Sequence, residues 1–119
     1  MSDKKSIIKE KSFLFAKRII KLYQYITETK KEFVISKQLL RSGTAVGALV
    51  REAQNAESKL DFIHKLGIAQ KECDESLYWL ELLFESGYLK EKEFISIQTE
   101  ASGLLKMIRS AIITTKTKK

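Results

Sequence analysis

His64 is the only histidine in the chain and Asp61 precedes it by three residues, a spacing that puts both side chains near one face of a helix. A metal is the first chemistry such a pair suggests. A di-iron helical site draws on two Glu-x-x-His helices and two further glutamates, and one histidine cannot supply that set. A zinc site built from His64, Cys73 and carboxylates is the remaining form of the idea. Cys73 lies nine residues beyond His64 on the same helical stretch, about 13 Å along the axis at a rise of 1.5 Å per residue, too far for a thiolate–imidazole pair within one chain. It reads as a core cysteine, and as the sole cysteine it forms no intramolecular disulfide, which suits a reducing cytoplasm. Gly43 and Gly47 fall inside a helical pattern rather than in a phosphate-cradling turn, and no dinucleotide fingerprint, Walker loop or serine-nucleophile motif occurs. The expectation is a protein without catalytic residues, metal or cofactor. Glu72 and Glu75 read as ion-pair partners for Arg41 from a neighbouring antiparallel helix.

The elements that carry these residues are all helical by pattern. Proline is absent and there are only five glycines in 119 residues, so long helices joined by short turns are favoured. Apolar residues at Ile8, Phe15, Ile19, Leu22, Tyr23 and Ile26 recur at helical spacing and define a first helix over 6–28. Ser36 reads as the N-cap of a second helix, 36–56, which turns Leu39, Gly43, Val46, Leu49, Val50 and Ala53 inward. Its small residues Ser42, Gly43 and Gly47 cost helix propensity, which points to a closely approaching neighbour. Ser58-Lys-Leu-Asp61 is a capping-box pattern that opens a third helix, 59–86, and Gly87 suits the left-handed residue after its end. A fourth helix covers 90–114 and buries Phe94, Ile97, Ala101, Leu104, Leu105, Ile108 and Ile112, leaving a basic mobile tail at 115–119. The size admits one domain, and short turns between four helices favour an antiparallel up-down-up-down four-helix bundle over 1–119. No apolar run approaches the roughly 20 residues of a membrane span, and the N-terminus lacks the apolar core and cleavage site of a secretory signal.

Charge is polarised along the chain. The formal net charge is +7; residues 1–31 hold nine Lys/Arg against three acids, residues 106–119 hold five against none, and residues 32–105 hold eight against twelve. In an antiparallel bundle the end of the fourth helix lies beside the start of the first. Lys4, Lys5, Lys9 and Lys11 then share one pole with Lys106, Arg109 and Lys116, a candidate surface for RNA or DNA phosphates. The alternative is that the same lysines serve solubility. Aromatic residues are not interleaved with these cations, so stacking on bases is not expected.

The third helix reads as apolar on two sides. One stripe is Phe62, Leu66, Ala69, Cys73, Leu77, Leu80 and Phe84; Ile68, Trp79 and Leu82, with Leu83 beside them, fall on another. A helix that is apolar on two faces needs a second partner. Tyr78 and Trp79 are residue types enriched at interfaces, so Ile68, Tyr78, Trp79 and Leu82 are the candidate contacts of a homo-oligomer.

The motif set Gln38-Leu-Leu-Arg-Ser-Gly-Thr-Ala-Val-Gly-Ala-Leu-Val-Arg-Glu-Ala-Gln54, Ser58-Lys-Leu-Asp-Phe-Ile-His-Lys-Leu66, Ala69-Gln-Lys-Glu72, Tyr78-Trp-Leu-Glu-Leu82 and Gly87-Tyr-Leu89 resembles the bacterial four-helix bundle family. It is also called the ribosomal RNA intervening-sequence protein family. The resemblance spans nearly the whole chain and is weakest over 1–12 and 113–119. It implies an antiparallel bundle, ring-shaped homopentamers and no enzymatic activity. It also implies similarity to the accessory protein of diversity-generating retroelements, which engages a reverse transcriptase and nucleic acid. On the same footing, Arg41, Arg51, Glu52, Asp61, Phe62 and Trp79 look like architectural or subunit-contact residues. The partners so implied are a second copy of the chain, RNA or DNA, and an unidentified protein such as a reverse transcriptase. The alternative function is a protein–protein adapter without nucleic-acid binding.

Overall fold

The computed structural model describes residues 4–118, with side chains from residue 7 onward. Four helices make up nearly all of it: α1 (Lys4–Thr29), α2 (Ile35–Gln54), α3 (Lys59–Glu85) and α4 (Glu91–Thr117). No strand occurs among the described residues. Each helix packs on its neighbours in chain order and α4 returns against α1, so that one elongated core runs down a body of 50 × 24 × 22 Å. None of the helices is long and apolar enough to cross a membrane.

Contacts across the α2–α3 seam join the start of α2 to the later half of α3, and the end of α2 to the start of α3. Arg41 meets Glu72 and Glu75, Ser42 Oγ lies 2.8 Å from Ser76 Oγ, and Lys65 Nζ lies 3.1 Å from Glu52 Oε1. Across the next seam Phe84 stacks on Phe94 with centroids 4.3 Å apart, and Cys73 reaches Ala101.

The ends of the helices show how local chemistry fixes the turns. Ser58 Oγ accepts from the Asp61 amide at 3.0 Å while the Asp61 carboxylate accepts from the Glu57 amide at 3.3 Å, so the start of α3 is capped from both sides. At its other end the Tyr88 amide donates to the Leu83 carbonyl and the Gly87 amide to the Phe84 carbonyl, with Gly87 at φ +86°. This is the paired-bond ending that a left-handed residue permits.

Two boundaries differ from the sequence reading. Ser36 is not the cap of α2. The Glu32 carboxylate takes that role, accepting from the amides of Val34, Ile35 and Ser36 at 2.8–3.0 Å, and Ser36 is buried with its hydroxyl donating to the Glu32 carbonyl. Burial works against ionising Glu32, but the donated amides and the Ser36 hydroxyl outweigh it and hold the carboxyl below its ordinary range. The supposed tail is also largely helical. α4 continues to Thr117, with Ile112 still buried and the Thr115 hydroxyl donating to the Ala111 carbonyl at 2.7 Å. Residue 119 lies outside the described residues.

The glycines of α2 mark the closest helix approach. A Cβ on Gly43 would lie 2.8 and 2.9 Å from the two γ-carbons of Ile19, and one on Gly47 would lie 3.2 Å from the Ser12 carbonyl oxygen. The neighbour that comes so near is therefore α1.

Candidate functional site

The core of α3 follows Leu66, Ala69, Cys73, Ser76, Leu80 and Leu83, all buried. These alternate steps of three and four form one seam, and a serine passes in it because its hydroxyl is satisfied by Ser42 and by the Glu72 carbonyl. Leu83, assigned by sequence to the second side, belongs to this core. Phe62, Leu77 and Phe84 sit on its shoulder, half-buried. Of the candidate interface residues, Ile68, Trp79 and Leu82 are half-buried, and Trp79 packs against the core. The Trp79 indole donates to Glu75 at 3.2 Å and Tyr78 meets the indole edge-on at a centroid distance of 5.0 Å. Only Tyr78 of the four is well exposed, at 59%. Trp79 thus leans on its own subunit's core, which counting along a single helix cannot reveal, while Ile68 and Leu82 keep part of their surface in water.

Arg41 lies between two carboxylates. Its Nη1 is 3.2 Å from Glu72 Oε1 and its Nη2 bonds to Glu75 Oε1. The hydrogen bond it donates to Glu72 is the main reason its guanidinium is held still more firmly charged. Arg51 is exposed on α2 and Glu52 pairs with Lys65.

The candidate phosphate-binding cations separate into groups. Lys9 borders an open groove between α1 and α2 together with Arg51 and Lys65, whereas Lys11 borders another between α1 and α4 beside Met107. Lys106, Arg109 and Lys116 are exposed on α4. At about 100° per residue the last three fall within an arc of roughly 80°, so they form one strip. Lys59 bonds to the carbonyl of Lys118, which brings the end of α4 to the start of α3. Among the described residues no carboxylate forms an ion pair with Lys9, Lys11, Lys106, Arg109 or Lys116; the ion-paired cations are Arg18, Arg41 and Lys65. The side chains of Lys4 and Lys5 lie outside the described residues.

His64 is exposed and the Asp61 carboxylate is engaged in the helix cap. No three His, Cys, Asp or Glu side chains gather as a metal site among the described residues. Cys73 is buried, its Sγ donates to the Ala101 carbonyl at 3.4 Å, and its thiol is pushed up to about 12, first by burial and then by the Asp74 carboxylate. At neutral pH it is a thiol, not a nucleophilic thiolate.

Two features escaped the sequence reading. Arg18 of α1 clamps α4 by donating to Glu100 Oε1 at 2.8 Å, Ser96 Oγ at 2.8 Å and Glu93 Oε1 at 3.2 Å. The signal available was the polar row Glu93, Ser96 and Glu100 at helical spacing beside the apolar face of α4. The second is the number of large apolar residues left in water on α1: Ile7, Phe13, Leu14, Ile20 and Tyr25. Seven-residue repeats, Phe13 to Ile20 and Ile7 to Leu14, were its signature.

A four-helix protein with capped turns is the class that this geometry defines. The sequence pattern of the 23S rRNA-intervening sequence protein family matches residues 4–110, and the chain belongs to that family. A solved structure of a protein of unknown function from the S23 ribosomal protein family of Bacteroides thetaiotaomicron is similar to it at 46% identity. The likeness covers 92% of this chain and 98% of that one, with a TM-score of 0.91. No curated protein matches the chain.

Proposed function

We propose that the chain is a non-enzymatic scaffold: an up-down-up-down bundle of antiparallel helices that assembles into a ring of copies, five by family resemblance, and binds nucleic acid through phosphate contacts. The residue pairs across the α2–α3 and α3–α4 seams support the antiparallel order, since early residues of one helix meet late residues of the next. The observation that carries nucleic-acid binding is the α4 strip of Lys106, Arg109 and Lys116, exposed and without carboxylate partners among the described residues. Cations already neutralised by an acid have little left to give a phosphate; these three keep their full charge. With no aromatic platform beside them, binding would be sequence-tolerant and strongly salt-dependent.

A gel-shift titration against single-stranded and duplex RNA and DNA tests this. Binding is expected at about 50 mM salt and should fall steeply toward about 200 mM. The Lys106→Glu, Arg109→Glu double variant should bind more weakly and flatten the salt slope by roughly 0.7–0.9 for each phosphate that is no longer neutralised. Absence of binding to any nucleic acid at the lower salt overturns the reading.

The apolar residues left in water on α1 favour a second reading, a protein–protein adapter with no nucleic acid bound. A specific protein recovered with the chain after nuclease treatment, together with no gel shift, would select it.

A further inference from the structure

We infer that copies of this chain join through α1, the groove between α1 and α2 on one copy receiving the opposite flank of α1 from the next. The inference rests on the oligomeric reading above and assigns it a surface.

α1 has more apolar residues than its own core can take. Ile8, Phe15, Ile19, Leu22 and Ile26 are buried against the other helices, yet Phe13 is 52%, Leu14 48% and Ile20 42% exposed. At about 100° per residue, Phe13 and Ile20 point within roughly 20° of each other, as do Ile7 and Leu14, and the two pairs diverge by roughly 120°. The helix thus carries two separate apolar flanks. The first borders the α1–α2 groove, a hollow of ≈ 680 Å³ whose floor is made of small residues, Ala16, Thr44, Gly47 and Ala48. Small residues leave room for a ridge of side chains from another helix. The second flank faces α4, where α1 packs least, and Leu14 borders the hollow there beside Met107.

A second copy is the occupant that the charges favour. The α1–α2 groove is bordered by three acids, Glu52, Glu57 and Asp61, as well as by Lys9, Arg51 and Lys65, in a chain whose net charge is +7. A polyanion gains nothing from a balanced groove. The flank that carries Leu14, by contrast, has Lys11, Lys17 and Lys21 around it with Glu10 the one acid among them, all exposed, and would bring net positive charge toward Glu57. That is the groove acid whose carboxylate is engaged, among the described residues, by neither an ion pair nor the helix cap. Two different flanks on one helix call for head-to-tail contact, which closes into a ring where the rotation permits; a two-fold pairing would use one flank and leave the other in water. On α3 the exposed large apolar residues are Leu60 at 79% and Tyr78 at 59%, about 27 Å apart along the axis at a rise of 1.5 Å per residue, and they form no continuous flank.

The test is the solution mass of the full chain by light scattering at micromolar concentration, with helix content followed by circular dichroism. The wild type should be an oligomer. Phe13→Glu with Ile20→Glu, and separately Ile7→Glu with Leu14→Glu, should each fall to the mass of one chain with unchanged helix content. Each retains one intact flank, so an equimolar mixture of the two should recover the mass of two chains and no more. Tyr78→Glu should keep the wild-type mass. If a glutamate pair lowers helix content, Phe13→Ala with Ile20→Ala replaces it, and should likewise weaken association. A wild-type chain of monomeric mass overturns the oligomeric reading itself. A wild-type oligomer that the α1 variants leave intact, or that Tyr78→Glu dissociates, overturns only the assignment to α1. A mixture that stays at the mass of one chain overturns the head-to-tail arrangement.

Discussion

Replacing Gly43 with alanine should change sign according to what stands at position 19. The new Cβ would meet the γ-carbons of Ile19 at 2.8 and 2.9 Å, well inside the roughly 3.5–4.0 Å at which carbon atoms attract. Ile19 is fully buried and branched at Cβ, so it has no free rotamer into which to retreat. Crowding of this kind costs about 1–3 kcal/mol, while alanine recovers about 1 kcal/mol of helix propensity. The net is a loss of about 1 kcal/mol, which for 119 residues lowers Tm by about 4 °C at about 2.1 cal/mol/K of unfolding entropy per residue. Ile19→Ala costs about 2–5 kcal/mol by itself, but it removes both γ-carbons. On that background Gly43→Ala should stabilise by about 1 kcal/mol, from propensity and from partial filling of the space. Gly67 offers the control. Its Cβ would meet nothing within 4 Å, so Gly67→Ala should stabilise on either background. Urea titrations of the four chains at one protein concentration measure the cycle. A Gly43→Ala effect of the same sign and size on both backgrounds refutes the claim that α1 approaches α2 through this glycine.

Two pH-dependent predictions follow from buried or capped groups. Glu32 has its carboxyl held below the ordinary range, so the unfolded chain takes up the proton first as pH falls through the ordinary value of 4.5. The stability it contributes is present above that pH and lost below it. Glu32→Ala should therefore cost about 1–2 kcal/mol near neutrality, with the gap to wild type closing in acid; a gap that stays constant with pH would count against the capping role. Cys73 has the opposite sign. Its thiol is raised from an ordinary 9.0 to about 12, so the unfolded chain ionises first as pH rises. The stability it contributes is then lost from pH 9.0 upward, with a limiting slope of about 1.4 kcal/mol per pH unit. Cys73→Ala should lack that extra slope, and urea midpoints that run parallel for the two chains would show that the thiol is not held protonated by the fold.

Much of the fold could be read from residue types because the decisive interactions are local. Ser58 and Asp61 are three apart and cap each other's turn; Gly87 follows the last helical carbonyls of α3 and takes the one backbone conformation its neighbours avoid. What escaped depends on residues brought together by the fold. Ser36 has the right side chain for a cap, but α2 already begins at Ile35, where Glu32 satisfies the first amides with two oxygens, and Ser36 lies inside the helix and in the core. Thr115 reads as part of a polar tail, yet α4 runs on to Thr117, with the Thr115 hydroxyl turned back to the Ala111 carbonyl and Ile112 still buried just before it. The exposed apolar surface of α1 is the largest omission. Trp79 attracts attention by type, but it packs against the core and its indole donates to Glu75 one turn back on the same helix. Leu14 stays in water on the side facing α4, where α1 packs least, and Phe13 and Ile20 stay in water along the α1–α2 groove.

Association through α1 as proposed would cover Lys9 and Lys11, which border its two hollows, and leave phosphate binding to the α4 strip. The α1–α2 groove is charge-balanced, and Lys106, Arg109 and Lys116 do not border it. A chain joined through α1 therefore leaves its α4 strip free, and a ring would present that strip once per copy. Three phosphate contacts alone give weak, non-specific affinity, while several linked strips raise the effective concentration of each for a single long polyanion. An apolar interface and a sparse cationic surface are thus complementary, since the first supplies by repetition the affinity that the second lacks on one protomer.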